Sequence, residues 1–566
     1  MAILQPIHDI AEICAQKNIT DVILCPGSRS AALTISFARH PSITTYSIPD
    51  ERSAGFIGMG MALQSGRTVA IVCTSGSAAY NFAPAVVEAY FQEIPLLILT
   101  ADRPSEWINQ YDGQTIYQRE IYGKHVKKSF DLPVEYSNSD AVWQIERVAN
   151  EAINLSQAEP KGPVHINVPI REPFYPNGTE KISFNRDVRI INQFKSEKVI
   201  SKSDWNEILD IWESSDKKLI AVGQNNLNLS EILSKISTEF SVPVLGDVIS
   251  NLHRNAEFIS SQDIFLSSNL NPELRPDLLI TCGKSFISKS FKQFIRANKP
   301  KFHIHIQENS DVIDPFQSLT HKLEISPNYF FEKLFSDLDF QKFREGDEED
   351  DDFYIAQWRD LDVKAKSKLY KYLDGVPFSE FKVVEEVLQT LPDDSILHLG
   401  NSMPVRYANI IGTSPNSEIE VYCNRGTSGI DGILSTAVGQ ALKTDKTVVC
   451  LIGDVSFFYD RNALWNNYLP KNLRVIVLNN QGGNIFRIID GPSRQPELEE
   501  FFVTKQNYSA QKTAEDAGID YYYSENEIQL KDILSYFYLE TNRCKLLEIK
   551  IDAEISTEVF KNYKKI

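Results

Sequence analysis

Cysteine, methionine and basic side chains are all in short supply in this chain of 566 residues. It has seven Cys and four Met, and its 58 Lys and Arg residues are outnumbered by 76 Asp and Glu, which gives a formal net charge of -18. A general nucleic-acid binder needs a basic face, so the composition excludes that class. No cysteines form a CxxC pair, so neither a disulfide framework nor a zinc site is predicted, and a reducing compartment is favoured.

Long apolar runs are also absent. A membrane helix needs roughly 18 to 20 consecutive apolar residues, and no run approaches that length. Near the N-terminus, Ile7, Ile10 and Cys14 recur at helical spacing with Asp9 and Glu12 between them. This pattern indicates an amphipathic helix rather than a signal peptide. We therefore expect a soluble cytoplasmic protein without membrane insertion.

Short apolar and β-branched runs do alternate with longer helical patterns along the chain. Most of these runs are apolar throughout, which is typical of parallel strands covered by helices on both faces. The alternation predicts an α/β protein built of doubly wound parallel-sheet domains. The predicted strands are 21–25, 69–73, 95–100, 164–168, 219–222, 278–282, 302–306, 396–399, 447–452, 474–478 and 546–549.

Two segments have the composition of linkers. The stretch 173–198 contains Pro, Asn and Gly and then mixed charge without periodicity, and 345–352 holds seven acidic side chains around one Gly. Such an acidic run repels itself and stays solvated, although an acidic docking site is the alternative. We therefore predict three domains, at 1–185, 186–355 and 356–566.

The first and third predicted domains contain a repeated segment. The sequence of residues 60–77 aligns with that of residues 439–456 at a constant offset of 379. Six of the eighteen positions are identical, and the hydrophobic pattern is the same. Each copy reads as a helix end, a turn, a strand and a small-residue loop that opens another helix. The repeat predicts two related sheets, and ligands of such sheets bind at the carboxyl ends of the strands.

The strongest chemical signal is the segment 453–456, Gly-Asp-Val-Ser, followed by Asn-Asn-Gln-Gly-Gly at 479–483. Asp454 and Asn480 are 26 residues apart, about one strand-helix-strand unit, so both are expected at neighbouring strand ends. A carboxylate, an amide oxygen and a nearby carbonyl, which we assign to Gly482, suit Mg²⁺ completed by phosphate oxygens. A helix running from this loop as far as Tyr468 would add amide donors for a diphosphate. A plain turn and helix cap is the alternative.

This pair of motifs resembles the signature of thiamine-diphosphate enzymes. The resemblance implies a pyrimidine-binding domain at 1–185, a central domain at 186–355 and a diphosphate- and metal-binding domain at 356–566. It also implies a first-domain glutamate that hydrogen-bonds the aminopyrimidine ring and so favours loss of the thiazolium C2 proton. Glu51 is the candidate for this catalytic role, and its carboxyl is expected to be buried. A surface ion pair is the alternative reading of Glu51.

The same resemblance implies further contacts with the cofactor. Ile430 would lie under it, between its two rings, and hold the bent conformation that brings the imino nitrogen to C2. Magnesium is the expected metal, with Mn²⁺ as an alternative. The predicted cofactor-binding residues are Pro26, Ser77, Ser402, Ile430, Gly453, Val455 and Ser456, and the predicted metal ligands are Asp454, Asn480 and Gly482.

A finer resemblance is carried by an ordered set of segments across both outer domains. They are Pro-Gly-Ser-Arg-Ser at 26–30, Asp-Glu-Arg at 50–52, Thr-Ser-Gly at 74–76, Thr-Ala-Asp-Arg-Pro at 100–104, Gly-Asn-Ser at 400–402, Asn-Arg-Gly-Thr-Ser-Gly-Ile-Asp-Gly at 424–432 and the two metal segments. The set resembles the menaquinone-pathway family of 2-succinyl-5-enolpyruvyl-6-hydroxy-3-cyclohexene-1-carboxylate synthases. This implies a transferase that decarboxylates 2-oxoglutarate and adds the resulting carbanion to isochorismate.

Both implied substrates are dicarboxylates, so cationic side chains are expected in the pocket, and Arg forks suit carboxylates. Lys289 is the middle-domain choice, with Lys284 as its competitor. Phe486 and Ile489 would wall the pocket, although core packing is their alternative role. The predicted substrate-binding residues are Ser28, Arg29, Arg103, Gln114, Lys289, Arg406, Arg425, Phe486 and Ile489.

Glu51 and Asp454 are 403 residues apart and belong to different predicted domains. In the resembled fold, the pair that meets at one cofactor comes from two subunits, which implies a homodimer or a homotetramer. Two other functions stay open. One is an acetolactate-synthase-like carboligase acting on pyruvate, and the other is a catalytically idle binding protein on the same fold. A nicotinamide dehydrogenase is disfavoured because no GxGxxG follows a middle-domain strand.

Overall fold

The computed structural model describes residues 4–172, 174–176, 182–184, 187–225, 227–268, 271–345, 353–415 and 417–565. Three all-parallel sheets follow one another along the chain, with helices packed against them. The predicted α/β class of parallel-sheet domains is thereby confirmed. The acidic run at 346–352 and parts of the other predicted linker lie outside the described residues.

The first sheet has six strands in the order β2-β1-β3-β4-β6-β5. Its strands are β1 Asp21–Leu24, β2 Thr44–Ser47, β3 Val69–Cys73, β4 Leu96–Asp102, β5 Ser129–Asp131 and β6 Val164–Pro169. Its helices are α1 Gln5–Gln16, α2 Ala31–Arg39, α3 Glu51–Ser65, α4 Ser77–Asn81, α5 Ala83–Gln92 and α6 Ser139–Gln157.

The middle sheet has five strands in the order β11-β10-β9-β7-β8. Its strands are β7 Lys218–Val222, β8 Val244–Gly246, β9 Leu278–Cys282, β10 Phe302–Ile306 and β11 His321–Leu323. Its helices are α7 Lys202–Glu213, α8 Ser230–Glu239, α9 Gln262–Ser268, α10 Lys289–Ala297 and α11 Pro327–Glu345.

The third sheet repeats the topology of the first, in the order β13-β12-β14-β15-β17-β16. Its strands are β12 Ser395–Leu399, β13 Glu420–Cys423, β14 Thr447–Gly453, β15 Leu473–Asn479, β16 Asp520–Ser524 and β17 Lys545–Lys550. The helices are α12 Phe353–Asp374, α13 Glu380–Gln389, α14 Met403–Ile411, α15 Ile433–Ala441, α16 Asp454–Tyr459, α17 Ile485–Ile488, α18 Gln511–Asp516, α19 Glu527–Phe537 and α20 Ala553–Tyr563. The equal strand order supports the predicted relationship between the outer domains.

The outer sheets share an apolar core. One cluster of buried side chains runs from Ile23 and Ile71 of the first sheet through α3 and α15 to Val448 and Val475 of the third. Apolar surface buried in this way contributes about 25 cal/mol per Å², so the two domains are held together mainly by the hydrophobic effect. The two related domains of one chain therefore form a single packed body.

Helix α12 belongs to two cores. Tyr354 and Trp358 near its start pack with the middle sheet, whereas Ala365, Leu369 and Leu373 pack with the third. The predicted boundary at 355 thus falls inside a continuous helix that bridges the two domains. The three predicted domain ranges remain predictions.

The helix predicted to run as far as Tyr468 is shorter in the structure. Helix α16 ends at Tyr459 and a 3-10 turn follows at Arg461–Leu464. The chain turns at Asp460, whose buried carboxylate accepts hydrogen bonds from Ser435 N at 2.7 Å and Ser435 Oγ at 2.8 Å. Asp460 thereby caps α15, whose own N-cap residue is a glycine without a side chain.

All seven cysteines are free and buried. No helix in the part of the chain that the structure describes is both long and apolar enough to cross a membrane.

Candidate active site

Asp454, Asn480 and Gly482 lie together where β14 and β15 end. These strands are parallel neighbours, and Asp454 and Asn480 are the residues that directly follow them. Gly482 N donates a hydrogen bond to Asn480 Oδ1 at 3.0 Å, and its proximity favours the charged form of the Asp454 carboxyl. The structure therefore brings the three predicted metal ligands into one place, although their role as ligands stays a prediction.

The Asp454 carboxyl is nearly buried. Burial raises the pKa of Asp454 to about 7, in spite of hydrogen bonds from Val455 N and Gln506 that favour its charged form. The neighbouring carboxyl of Glu380 acts in the same direction as burial. Burial makes the charged form of this carboxyl unfavourable, and a cation beside it would stabilise that charged form.

The donor set fits a hard cation. Among the described residues, no group of three or more His, Cys, Asp or Glu is arranged to hold a metal ion, so a metal here depends on amide and carbonyl oxygens as well. Asp454, Asn480 and Gly482 offer oxygen ligands only, which is the preference of Mg²⁺ and Mn²⁺. A Cβ built on Gly453 would meet nothing within 4 Å, so there is open space beside the loop for further ligands.

The amides that follow Gly453 are arranged differently from the prediction. Val455 N, expected to face a diphosphate, donates to Asp454 Oδ1 at 2.8 Å. Ser456 is buried and its carbonyl accepts from Asp460 N at 3.0 Å. The short helix α16 thus uses its first amide to hold the predicted metal carboxylate, because Asp454 is its first residue and its side chain folds back on the helix.

Glu51 is the first residue of α3, at the carboxyl end of the first sheet. Asp50 is the N-cap of that helix, and its Oδ1 accepts from Arg52 N at 2.9 Å and Ser53 N at 3.3 Å. Glu51 Oε2 accepts a long hydrogen bond of 3.4 Å from Asn81 Nδ2. The Glu51 side chain is partly exposed in the single chain and not buried as expected.

The surroundings of Glu51 explain this exposure. Pro26 and Ser77, two predicted cofactor contacts, are also exposed at the ends of β1 and β3. They lie close to one another because Gly27 packs against Thr74, where an added Cβ would lie 2.2 Å from the Thr74 Cβ. This face of the first domain is open to solvent in one chain.

The predicted cations of the first domain form a pair. Arg29 is buried, its Nη1 donates to Ile170 O at 2.8 Å, and its guanidinium lies 4.2 Å from the Phe174 ring. Burial lowers the pKa of Arg29, and the neighbouring charge of Arg103 lowers it further. Arg103 is balanced by Asp112, with 2.9 Å between Nη1 and Oδ2.

Ser28 and Gln114 flank these cations. Ser28 Oγ lies 3.4 Å from the Tyr175 hydroxyl. Gln114 has a left-handed backbone with φ of 59° and lies against Gly76 of the Thr-Ser-Gly segment. Strained non-glycine conformations of this kind cluster at functional sites. The four predicted substrate residues of the first domain therefore share one end of its sheet.

A second pair of cations belongs to the third domain. Arg406 lies on α14, and its pKa is lowered by burial and then by the charge of Arg425. Arg425 Nη1 donates to Asn401 Oδ1 at 3.0 Å, whereas the buried Nε of Arg425 has no hydrogen-bond partner. Ser402, which caps α14, has a φ of 73° and its carbonyl accepts from Arg406. Both arginines lack a neighbouring ion-pair partner among the described residues.

The two lysine candidates of the middle domain differ in their surroundings. Lys284 is paired with Glu93, with 3.0 Å between Nζ and Oε2, and also donates to the Gln92 carbonyl. Lys289 is exposed at the start of α10, and its charge contributes to lowering the pKa of Lys564 after burial. Lys284 is therefore paired within the chain, and which of the two lysines contacts a substrate stays a prediction.

The predicted pocket walls are near the surface of the single chain. Ile430 and Ile489 are 36% and 41% exposed, so neither is a core residue. Phe486 lies on α17 and packs against the Phe502 ring at 5.8 Å between centroids. Their contact with a ligand stays a prediction.

The two sets of site residues are separate within one chain. Glu51, Arg29 and Arg103 have partners in the first domain, whereas Arg406 and Arg425 have partners in the third. Over the described ranges, no hydrogen bond or ion pair joins a member of one set to a member of the other. A cleft of about 820 Å³ between the domains touches only Arg425 of the predicted site residues, so it is not the predicted site.

Three important residues were not predicted from the sequence. Glu88 on α5 is buried and accepts from Gly426 N at 2.8 Å and Thr427 N at 2.6 Å, which holds the loop of Arg425. Asn401 donates from its Nδ2 to the carbonyls of Asn424 and Gly429, at 2.7 Å each, which fixes the other side of that loop. Glu380 contacts the predicted metal ligand Asn480. Glu88 and Glu380 lie about 340 and 100 residues from these partners, so no local signal reveals them.

Family models of thiamine pyrophosphate enzymes match all three parts of the chain. The N-terminal TPP binding domain matches residues 7–124, the middle domain matches 185–399 and the C-terminal TPP binding domain matches 413–549. These matches agree with the three parallel sheets and with the equal topology of the outer two.

Curated relatives match the chain from end to end. A 2-succinyl-5-enolpyruvyl-6-hydroxy-3-cyclohexene-1-carboxylate synthase of Cytophaga hutchinsonii is 45% identical and covers 99% of both chains. Proteins with the same name from Flavobacterium johnsoniae and Christiangramia forsetii are 38% and 37% identical, over 98% of this chain and 98% and 97% of their own lengths. The chain therefore belongs to the 2-succinyl-5-enolpyruvyl-6-hydroxy-3-cyclohexene-1-carboxylate synthase family of thiamine-diphosphate-dependent enzymes.

Proposed function

We propose that the enzyme decarboxylates 2-oxoglutarate and adds the resulting four-carbon unit to isochorismate, in menaquinone biosynthesis. The observation that carries the proposal is the convergence of Asp454, Asn480 and Gly482 at neighbouring strand ends, in a chain that also places Glu51 at the matching end of a related sheet. The names of the relatives support the substrates.

The arginine side chains at the predicted site support dicarboxylic acids as the substrate class. Arg406 and Arg425 bring like charges together without an ion-pair partner among the described residues, which is unfavourable unless an anion lies nearby. Arg103, beside Arg29, is already paired with Asp112. Two dicarboxylic acids would supply such anions, and a guanidinium binds a carboxylate through two parallel hydrogen bonds. Pyruvate, the substrate of the competing carboligase, has a single carboxylate and needs fewer cations.

In the proposed mechanism, Asp454 and Asn480 would hold Mg²⁺ or Mn²⁺ through Oδ atoms, and the Gly482 carbonyl would complete the protein's share of the ligands. Thiamine diphosphate, when bound, supplies an acidic thiazolium carbon that can add to a 2-oxo acid. Glu51 holds a proton at its carboxyl oxygen and donates it towards the aminopyrimidine ring. Ile430 fills apolar space under the cofactor, and the remaining predicted cofactor residues line its ends.

The arginines, with Ser28, Gln114 and Lys289, bind and orient the substrate carboxylates in this proposal. Orientation alone supplies a large part of the rate enhancement of a two-substrate reaction. Phe486 and Ile489 exclude water from the reacting carbon, which protects a carbanion from premature protonation. The nearby protons come from the cofactor and from Gln and Ser side chains.

We also propose that two chains complete each site. Glu51, Pro26 and Ser77 are exposed in the single chain, and apolar side chains near the same ends of the sheets are exposed too, among them Tyr80 at 56% and Trp465 at 61%. A homodimer would cover these groups and bring the predicted site residues of one chain's first domain to those of the other chain's third domain. Two such dimers would form a homotetramer. The free, buried cysteines agree with a reducing, cytoplasmic location.

One assay separates the candidate functions. Enzyme, Mg²⁺ and thiamine diphosphate are incubated with 2-oxoglutarate or with pyruvate, each with and without isochorismate, and carbon dioxide release is measured. The proposal predicts release from 2-oxoglutarate that isochorismate increases. Release from pyruvate alone supports the carboligase, and no release from either acid supports the idle binding protein. Omission of Mg²⁺, with Mn²⁺ as a replacement, tests the metal.

A further inference from the structure

Glu380 is a buried carboxylate at the centre of the third domain. It is the first residue of α13, is 2% exposed and accepts a hydrogen bond at each of its oxygens. Oε1 accepts from Asn480 Nδ2 at 2.5 Å, and Oε2 accepts from Asn484 Nδ2 at 3.1 Å and from the Tyr407 hydroxyl at 3.0 Å. One carboxyl group thus connects two separate segments that carry predicted site residues, the loop 480–484 and α14.

The contact with Asn480 fixes the orientation of an amide. A carboxamide has a donor end and an acceptor end of nearly equal size, and its surroundings decide which end faces which neighbour. Glu380 Oε1 accepts from Asn480 Nδ2, and Asn480 Oδ1 on the opposite side of the amide accepts from Gly482 N. The oxygen that a metal would use is therefore presented by Glu380.

Helix α13 explains why Glu380 can stay in place. Ser379 caps the helix, with its Oγ accepting from Lys382 N at 3.5 Å, and Glu380 N donates to Ser556 Oγ on α20 at 3.0 Å. Asn484 is held in turn by Thr557, whose Oγ1 donates to Asn484 Oδ1 at 3.0 Å. The support of the site thus extends from α13 to the C-terminal helix.

We propose that Glu380 is the positioning residue of the metal site, which sets the affinity for Mg²⁺ by orienting the Asn480 side chain. This inference rests on the proposed function, because it takes Asn480 to be a metal ligand. Groups that orient metal ligands typically change metal affinity by about 10- to 100-fold when they are removed.

The chain contains a matched control. Asn479, the residue before Asn480, donates from its Nδ2 to Glu548 Oε1 at 2.6 Å. Glu548 is also 2% exposed and also accepts several hydrogen bonds, including one from the Tyr521 hydroxyl at 2.7 Å. Two adjacent asparagines are therefore each held by one buried glutamate, and only Asn480 is a predicted metal ligand.

The experiment compares Glu380→Gln with Glu548→Gln in the full-length protein. Thiamine diphosphate binding is followed by isothermal titration calorimetry at a series of Mg²⁺ concentrations, and stability is followed by urea unfolding. We expect Glu380→Gln to raise the Mg²⁺ concentration for half-maximal cofactor binding by about 10-fold or more. Glu548→Gln should leave it unchanged at a similar loss of stability. An equal Mg²⁺ requirement in both variants overturns the proposal.

Two further variants make the result independent of folding. Tyr407→Phe removes one hydroxyl that holds Glu380 and keeps the ring, so it should fold and still raise the Mg²⁺ requirement; an unchanged requirement contradicts the proposal. In an Asn480→Ala background, Glu380→Gln should add little, since it acts through a side chain that is gone. If Asp454→Ala binds cofactor normally with Mg²⁺, the proposed function itself fails, and that outcome is distinct.

Discussion

Gly60 and Gly439 pack against each other's helices in the same way. A Cβ built on Gly60 would lie 2.1 Å from Thr436 O, and one built on Gly439 would lie 2.1 Å from Ile57 O. Each glycine thus meets the carbonyl that lies three residues before the other. The two glycines are equivalent positions of the internal repeat, as are Ile57 and Thr436, so α3 and α15 cross through a local twofold relationship.

Because α3 and α15 cross so closely at Gly60, the stability of the protein should be sensitive to substitution there. Gly60→Ala adds a methyl group against a backbone carbonyl that cannot rotate away, and we expect it to lower the free energy of unfolding by about 3 kcal/mol. Urea unfolding monitored by circular dichroism measures the change. Gly375→Ala is the control, because its Cβ would find its nearest neighbour at 3.8 Å. Equal effects at the two positions would contradict a close helix crossing.

Replacement of Glu51 tests the first-domain acid. Glu51→Gln should retain cofactor binding and lower kcat by about 100-fold or more, because positioned acid–base groups contribute 10²- to 10⁴-fold. Binding is measured by calorimetry and turnover by carbon dioxide release. Glu197→Gln, at an exposed position, controls for the loss of one charge. Near-normal turnover in the Glu51 variant would remove Glu51 from the mechanism.

Replacement of Glu88 should weaken substrate binding and leave cofactor binding unchanged. Glu88→Gln replaces an acceptor oxygen by an NH₂ group facing the amides of Gly426 and Thr427, so the loop of Arg425 loses its anchor. Hydrogen bonds to charged groups contribute about 1.5–3 kcal/mol, so we expect KM for the 2-oxo acid to rise by about tenfold or more. Steady-state kinetics at saturating cofactor gives KM. An increase in the cofactor Kd with unchanged KM would contradict this role.

The buried Asp460 predicts how stability depends on pH. Burial raises the pKa of Asp460 from its ordinary value of 3.8 to about 7, so its folded state prefers the protonated form. A raised pKa gives a stabilising contribution that is complete below the unfolded pKa and is lost as the pH rises through the folded one. The cofactor-free protein should therefore lose part of its stability between about pH 4 and pH 7.

The measurement is urea unfolding of the cofactor-free protein at several pH values. Asp460→Asn should reduce the slope in that interval, because the residue then no longer titrates. Asp445→Asn, at an exposed position close in the sequence, should leave the dependence as it is. An unchanged slope in the Asp460 variant would assign the dependence to other buried carboxyls, such as Asp454 and Asp247, whose pKa values burial raises to about 7 and about 6.

The interior strands of the sheets were predictable from the sequence alone. Eleven predicted strands all exist, and the sheets have seventeen in total over the described residues. The other six, β2, β5, β8, β11, β13 and β16, are the two edge strands of each sheet. An edge strand is covered on fewer sides and needs no continuous apolar run, so its sequence resembles that of a loop.

Motifs and their order were also determined by the sequence. The Gly-Asp and Asn-Asn segments each follow an apolar run directly, so their meeting at neighbouring strand ends follows from the regular geometry of parallel strands. The repeat at offset 379 likewise fixed the relationship of the outer domains. The shorter α16 was not foreseen, because the carboxylate of Asp460 that ends it is bound to Ser435 on another helix.

Only the tertiary structure decided which residues support the site. Glu380 and Glu88 stand in ordinary amphipathic helices, and nothing near them in the chain distinguishes them from surface glutamates. Their roles arise from hydrogen bonds to residues far away in sequence. The partners of Glu380 lie elsewhere in the third domain, and Glu88 holds its loop across the contact between the first and third domains. Local patterns determine where a strand or helix begins and ends, whereas the partner of a buried carboxylate is set by the folding of the whole chain.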